Sequence, residues 1–105
     1  MVGYGVQNTV PDLQADLVRY RGNPRLAESE SALAGGWNLH VSSNRGERNQ
    51  GGACFGDSGG PSFVEGSLEV VGVGSFVLNQ HCVGAGYYYR VDTAHAQDWV
   101  QGFLP

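Results

Sequence analysis

The residues best equipped for covalent chemistry lie in one run, Gly51-Gly52-Ala53-Cys54-Phe55-Gly56-Asp57-Ser58-Gly59-Gly60-Pro61. Glycine is costly to order, so a run this rich in it must recover backbone entropy from a specific local shape. The hydroxyl of Ser58 becomes a nucleophile once a base takes its proton, and the flanking glycines clear the approach of an acyl group. Such a turn aims the N–H groups of Gly56 and Ser58 at one point, which is what a developing oxyanion needs. The plainer reading is a glycine-rich turn, and Gly-x-Ser-x-Gly alone does not separate the two. The longer run from Gly56 to Pro61 is much harder to produce by accident.

With its cysteine, this run resembles the nucleophile motif of the trypsin-like (chymotrypsin-fold) serine endopeptidases: Cys54-Phe55-Gly56-Asp57-Ser58-Gly59-Gly60-Pro61. Further matches follow in the family's order. Gly72-Val73-Gly74-Ser75-Phe76 is similar to its substrate-binding strand, Cys82 to the partner of Cys54, and Gly86-Tyr87-Tyr88-Tyr89-Arg90-Val91 to its penultimate strand. Thr93 to Phe103 resembles its C-terminal helix, and Val2-Gly3-Tyr4-Gly5 resembles the strand that opens the second barrel. The resemblance covers the second half of such an enzyme.

It implies roles residue by residue. Ser58 is the nucleophile, and the amides of Gly56 and Ser58 form the oxyanion hole. Asp57 matches the carboxylate that, in activated members, is buried against a newly cut N-terminal ammonium. Met1 does not take that place, so the expectation is a loop resting in an inactive arrangement, since a buried carboxylate without its cation is costly. Ser75, Phe76 and Val77 match the segment that pairs with substrate backbone, and the plainer reading of these three is an edge strand. The specificity pocket is expected between Gly52, Ala53 and Phe55, the Ser75–Val77 segment, and Gly86 with Tyr88. Gly52 stands where trypsin-type members carry an aspartate, and Val77 replaces a wall glycine. Small or medium apolar side chains are therefore the expected fit. The resemblance also implies a Cys54–Cys82 disulfide, worth about 3–4 kcal/mol on the loop-entropy model, with two buried thiols as the alternative. Such a bridge would place the protein in an oxidising compartment, most simply as a secreted one.

The family's general-base histidine and its aspartate come from a first barrel that this sequence does not match. The three histidines, His40, His81 and His95, do not fall at the family's base position, and each reads as an ordinary surface or half-buried residue. Two function classes follow: a serine-type endopeptidase half that needs a first-barrel partner, and a non-catalytic relative that holds extended peptides. A third reading takes Gly56–Gly60 as an α/β-hydrolase elbow, with Asp92 and His95 in the right order. Gly59-Gly60-Pro61 is a poor start for the helix that this elbow requires, and the chain leaves little room for parallel crossovers.

The elements that must position these residues read as strands. Asn8–Pro11 and Gly22-Asn23-Pro24 are turn-like, while Leu13–Tyr20 has no clean period. Arg25–Leu33 has helix-forming composition, yet the resemblance favours an extended segment. Gly35-Gly36 predicts a turn, and Trp37–Ser42 alternates apolar with polar as a half-buried strand does. Ser43–Gly52 reads as a loop. Ser62–Val64, a turn at Glu65-Gly66-Ser67 and Leu68–Val73 form a hairpin, Ser75–Leu78 continues its edge, and Tyr87–Val91 is strongly β-prone. Thr93 caps a final helix whose Ala96, Trp99, Val100 and Phe103 share one face expected to lock onto the barrel. The fold class is all-β: a single domain over residues 1–105, an antiparallel Greek-key β-barrel with one C-terminal α-helix.

Composition agrees with this reading. A chain of 105 residues with 41% hydrophobic and 15% charged residues is a small globular domain. A net charge of −4 argues against nucleic acid or an anionic membrane as the partner. No stretch is long enough to span a bilayer, and Met1 is not followed by an export signal. No cofactor or metal is expected, since two distant cysteines match neither a zinc knuckle nor a CxxC pair. The expected partners are a peptide or protein substrate, a first-barrel partner chain, and further copies of this chain, drawn to the apolar surface that a first barrel would cover.

Overall fold

The computed structural model describes residues 1–28, 35–43 and 51–105. Among these, seven strands and one helix follow in order: β1 (Val2–Gly3), β2 (Tyr20–Arg21), β3 (Arg25–Glu28), β4 (Asn38–Ser42), β5 (Pro61–Phe63), β6 (Val70–Val77), β7 (Ala85–Arg90) and α1 (Ala94–Gln101). Every pairing is antiparallel. β1 pairs with β2, and the larger sheet has the order β3-β4-β7-β6-β5. The sheets curl as a half-barrel followed by one C-terminal helix, in keeping with a trypsin-like barrel.

Arg25–Glu28 is extended despite its helix-forming composition, because pairing with β4 supplies the backbone bonds that a helix would have made internally. The rest of that segment and most of the loop after β4 lie outside the described residues. Gly35 and Gly36 form the expected turn, both at positive φ. The tyrosines of β7 fill the middle of the sheet. Tyr88, at 1% exposure, packs with Val41 and Ala53, and Met1 and Leu39 close over this cluster.

The helix begins as expected, with the Thr93 hydroxyl accepting from the Ala96 N–H at 3.2 Å. Its apolar face behaves differently from the expectation. Ala96 is buried, but Trp99 and Phe103 are 68% and 72% exposed and lie against each other with ring centroids 4.7 Å apart. Helical spacing puts these rings on one face, yet on that face only Ala96 is buried and Val100 half-buried. No helix among the described residues is long and apolar enough to cross a membrane.

Candidate active site

The loop between Cys54 and Pro61 is fastened to β6 by backbone bonds in both directions. The Gly59 N–H donates to the Gly74 carbonyl and the Gly74 N–H to the Gly60 carbonyl, each at 2.9 Å. A side chain on Gly74 would sit 2.9 Å from the Asp57 carbonyl oxygen, so glycine is what allows the loop to lie on the strand. Within the loop, Asp57 N–H donates to the Cys54 carbonyl and Gly60 N–H to the Asp57 carbonyl, both at 3.0 Å. Gly56 turns at φ +96°, a conformation that L side chains rarely adopt.

These bonds leave two donors over. Among the described residues, the N–H groups of Gly56 and Ser58 find no acceptor, and the Ser58 hydroxyl, which is exposed, has no partner. Asp57 points the other way. Its carboxylate accepts from the Gly5 N–H at 2.9 Å and the Cys54 N–H at 3.0 Å, so two backbone donors offset part of the cost of burying it.

Ser58 opens on two hollows. One, of about 230 Å³, brings together Ala53, Phe55, Ser75, Phe76 and Val77, which sequence reasoning had grouped, and adds Cys54, Asp57 and Gly74. The other, of about 520 Å³, lies along β1 and β5, with Tyr4, Arg19 and Phe63 in its wall. Gly52, Gly86 and Tyr88 line neither. They pack behind, where side chains on Gly52 and Gly86 would meet the Ser43 hydroxyl. Tyr88 donates its hydroxyl to the Met1 sulfur at 2.7 Å, and burial, with the Asp57 charge second, pushes its phenol well above the ordinary tyrosine range.

The open strand edge and its support come from β6 and β7. Phe76 pairs with Tyr87 and Val77 with Gly86, whereas β5 reaches only to Val73, so Ser75–Val77 has no strand on its other side among the described residues. Ser75 sits at a bulge. Behind it, the Phe76 and Tyr87 rings stack at 4.6 Å, and Tyr87 stacks on His40 at 5.0 Å. His95 meets Trp37 edge-on at 5.4 Å, and His81 lies in an exposed loop. Neither hollow beside Ser58 has a histidine in its wall. Cys54 and Cys82 are joined in a disulfide, as the resemblance implied.

A family model described as Trypsin matches residues 2–100. The chain belongs to the trypsin family. No curated protein and no solved structure matches it. Membership makes it a member of a serine-protease family, with a disulfide of the kind that suits secreted members. Two features of this trypsin-family chain escaped sequence reasoning: the role of Gly3 and Gly5 beside Asp57, and the placement of Ser43 behind the pocket. The Gly-x-Gly spacing was a usable signal for the first, since alternate residues of an extended segment share a face. Nothing local marked the second.

Proposed function

We propose that this chain is the nucleophile-bearing part of a serine-type endopeptidase. Ser58 Oγ attacks the scissile carbonyl carbon while its proton passes to a histidine supplied from outside residues 1–105. The resulting oxyanion is held by the amides of Gly56 and Ser58, the amine leaves with that proton, and water hydrolyses the acyl ester on Ser58. The substrate lies extended along Ser75–Val77 as an added strand, and its side chain before the scissile bond enters the hollow of about 230 Å³. With Ala53, Phe55, Phe76 and Val77 in the wall of that hollow, the side chain is small or medium and apolar. The observation that carries the reading is an exposed Ser58 with two unused amide donors beside it, at the mouth of a pocket that ends on an open strand edge.

The base arrives on a β domain of first-barrel type, and apolar side chains such as Leu13, Leu17 and Trp99, left in solvent here, give it surface to cover. The disulfide and the family together favour an extracellular or other oxidising location. Labelling by a fluorophosphonate tests the reading. Chain supplemented with a first-barrel domain carrying histidine and aspartate is expected to be labelled at Ser58, with none in the Ser58→Ala variant. A second reading, a non-catalytic holder of extended peptides, is favoured by the same open edge. Peptide binding that survives Ser58→Ala, with no labelling under any supplementation, would establish it and refute the first.

A further inference from the structure

We infer that His40 is a positioning residue for the open strand edge: acting through Tyr87, it fixes the ring of Phe76 in the wall of the smaller hollow. The inference rests on the reading of Ser75–Val77 as the edge that takes substrate. Three neighbouring strands contribute one ring each. His40 of β4 is paired in register with Tyr87 of β7, and Tyr87 with Phe76 of β6. Side chains on directly paired residues project from the same face of a sheet, about 5 Å apart. The rings keep that spacing, with centroids 5.0 Å apart for His40 and Tyr87 and 4.6 Å apart for Tyr87 and Phe76. Their planes lie within 13° and 7° of parallel, so the three form one continuous stack.

A bulge makes the stack possible. β6 advances two residues, from Gly74 to Phe76, while β7 moves by one, from Tyr88 to Tyr87. In unbroken register Ser75 would stand opposite Tyr87, and Phe76 would fall opposite Gly86 on the other face. The extra residue turns a ring towards Tyr87 and leaves Ser75 out of the row. Burial then falls along the stack. Tyr87 is buried, whereas Phe76 is exposed, since among the described residues β5 pairs with β6 only as far as Val73. An exposed ring on a strand edge depends on the neighbour it stacks against to hold its plane. Here that neighbour is Tyr87, whose far side carries His40. The imidazole thus keeps Tyr87 upright and, through it, sets the width of the hollow that Phe76 shares with Ala53, Phe55 and Val77. An aliphatic side chain of similar bulk would fill the volume without offering a flat face.

NMR spectra of the whole chain, with phenylalanine and tyrosine isotopically labelled, test the inference without requiring catalysis. In the parent the Phe76 ring protons are expected upfield of free phenylalanine, shielded by the ring of Tyr87, a reading that needs no variant. His40→Leu should move the Phe76 ring signals and the Val77 amide, while His40→Phe leaves them near their parent positions and the Trp99 signals stay put in both. The peptide acetyl-Ala-Ala-Val-Ala-amide, titrated against the Val77 amide signal, should bind His40→Leu roughly 3- to 10-fold more weakly than the parent, and His40→Phe about equally. A merely structural role for His40 would lower the urea midpoint and leave both readouts unmoved in the folded protein. Parent Phe76 signals at the positions of free phenylalanine, Phe76 signals unchanged in His40→Leu, or a His40→Phe chain that behaves like His40→Leu would overturn it. A parent that binds no peptide would refute the reading of the edge, and the Phe76 signals would still decide the role of His40.

Discussion

Replacing Ser43 by alanine is expected to stabilise this chain. Ser43 is 3% exposed, and its hydroxyl is a buried polar atom with no hydrogen-bond partner among the described residues. Its position follows from Gly52 and Gly86, whose missing side chains leave room for the hydroxyl. An unsatisfied buried hydroxyl costs about 1–3 kcal/mol, and removing one oxygen atom forfeits only a few van der Waals contacts. The expected net gain is about 1 kcal/mol. With a urea m-value of about 1–2 kcal/mol/M for a domain of this size, the midpoint should rise by roughly 0.5–1 M. Urea unfolding with the disulfide intact, followed by tryptophan fluorescence, measures it. The converse change, Gly52→Ala, drives a methyl into the Ser43 side chain and to 2.9 Å from its backbone Cα, and should lower stability by about 1–3 kcal/mol, with part of that loss restored when Ser43 is also replaced by glycine. A Ser43→Ala variant that unfolds at lower urea than the parent, or Gly52→Ala and Ser43→Gly effects that simply add, would refute the reasoning.

Two further outcomes follow from named side chains. The raised phenol of Tyr88 ties stability to alkaline pH: the unfolded chain ionises near pH 10 while the folded chain does not, so its contribution is complete below about pH 10 and is lost as pH rises towards the higher folded value. An absorbance titration at alkaline pH should show the last tyrosine ionising only as the fold is lost, and Tyr88→Phe should flatten the alkaline fall. Trp99→Ser should change stability by no more than about 0.5 kcal/mol, because the ring is mostly in solvent, while reducing self-association in sedimentation velocity.

What the sequence made legible was what local chemistry dictates. The Gly35-Gly36 turn, the Thr93 cap and the tyrosine strand each carry their structural instruction within a few residues, and each formed as read. Arg25–Glu28 stood between helix by composition and strand by resemblance, and the pairing partner decided it. Trp99 and Phe103 show the limit. Helical spacing gives the face on which a side chain lies, but whether anything covers that face depends on how far a distant sheet curls. The placement of the Ser43 hydroxyl beside Gly52 and Gly86 was illegible because nothing local marks those neighbours, and the Asp57 bond to Gly5 spans a distance along the chain for which the Gly-x-Gly spacing was the one signal.

The Cys54–Cys82 bridge has a mechanical consequence. Cys54 belongs to the loop that carries Ser58 and lines the smaller hollow, and Cys82 to the loop that follows β6, the strand whose end also lines it. Those walls are also pinned at Gly59 and Gly74 by the backbone. A cleft tied by hydrogen bonds at one end and by a covalent strut at the other has a fixed aperture. On the function proposed above, such a hollow selects guests by girth and gives up the capacity to swell around a bulkier one.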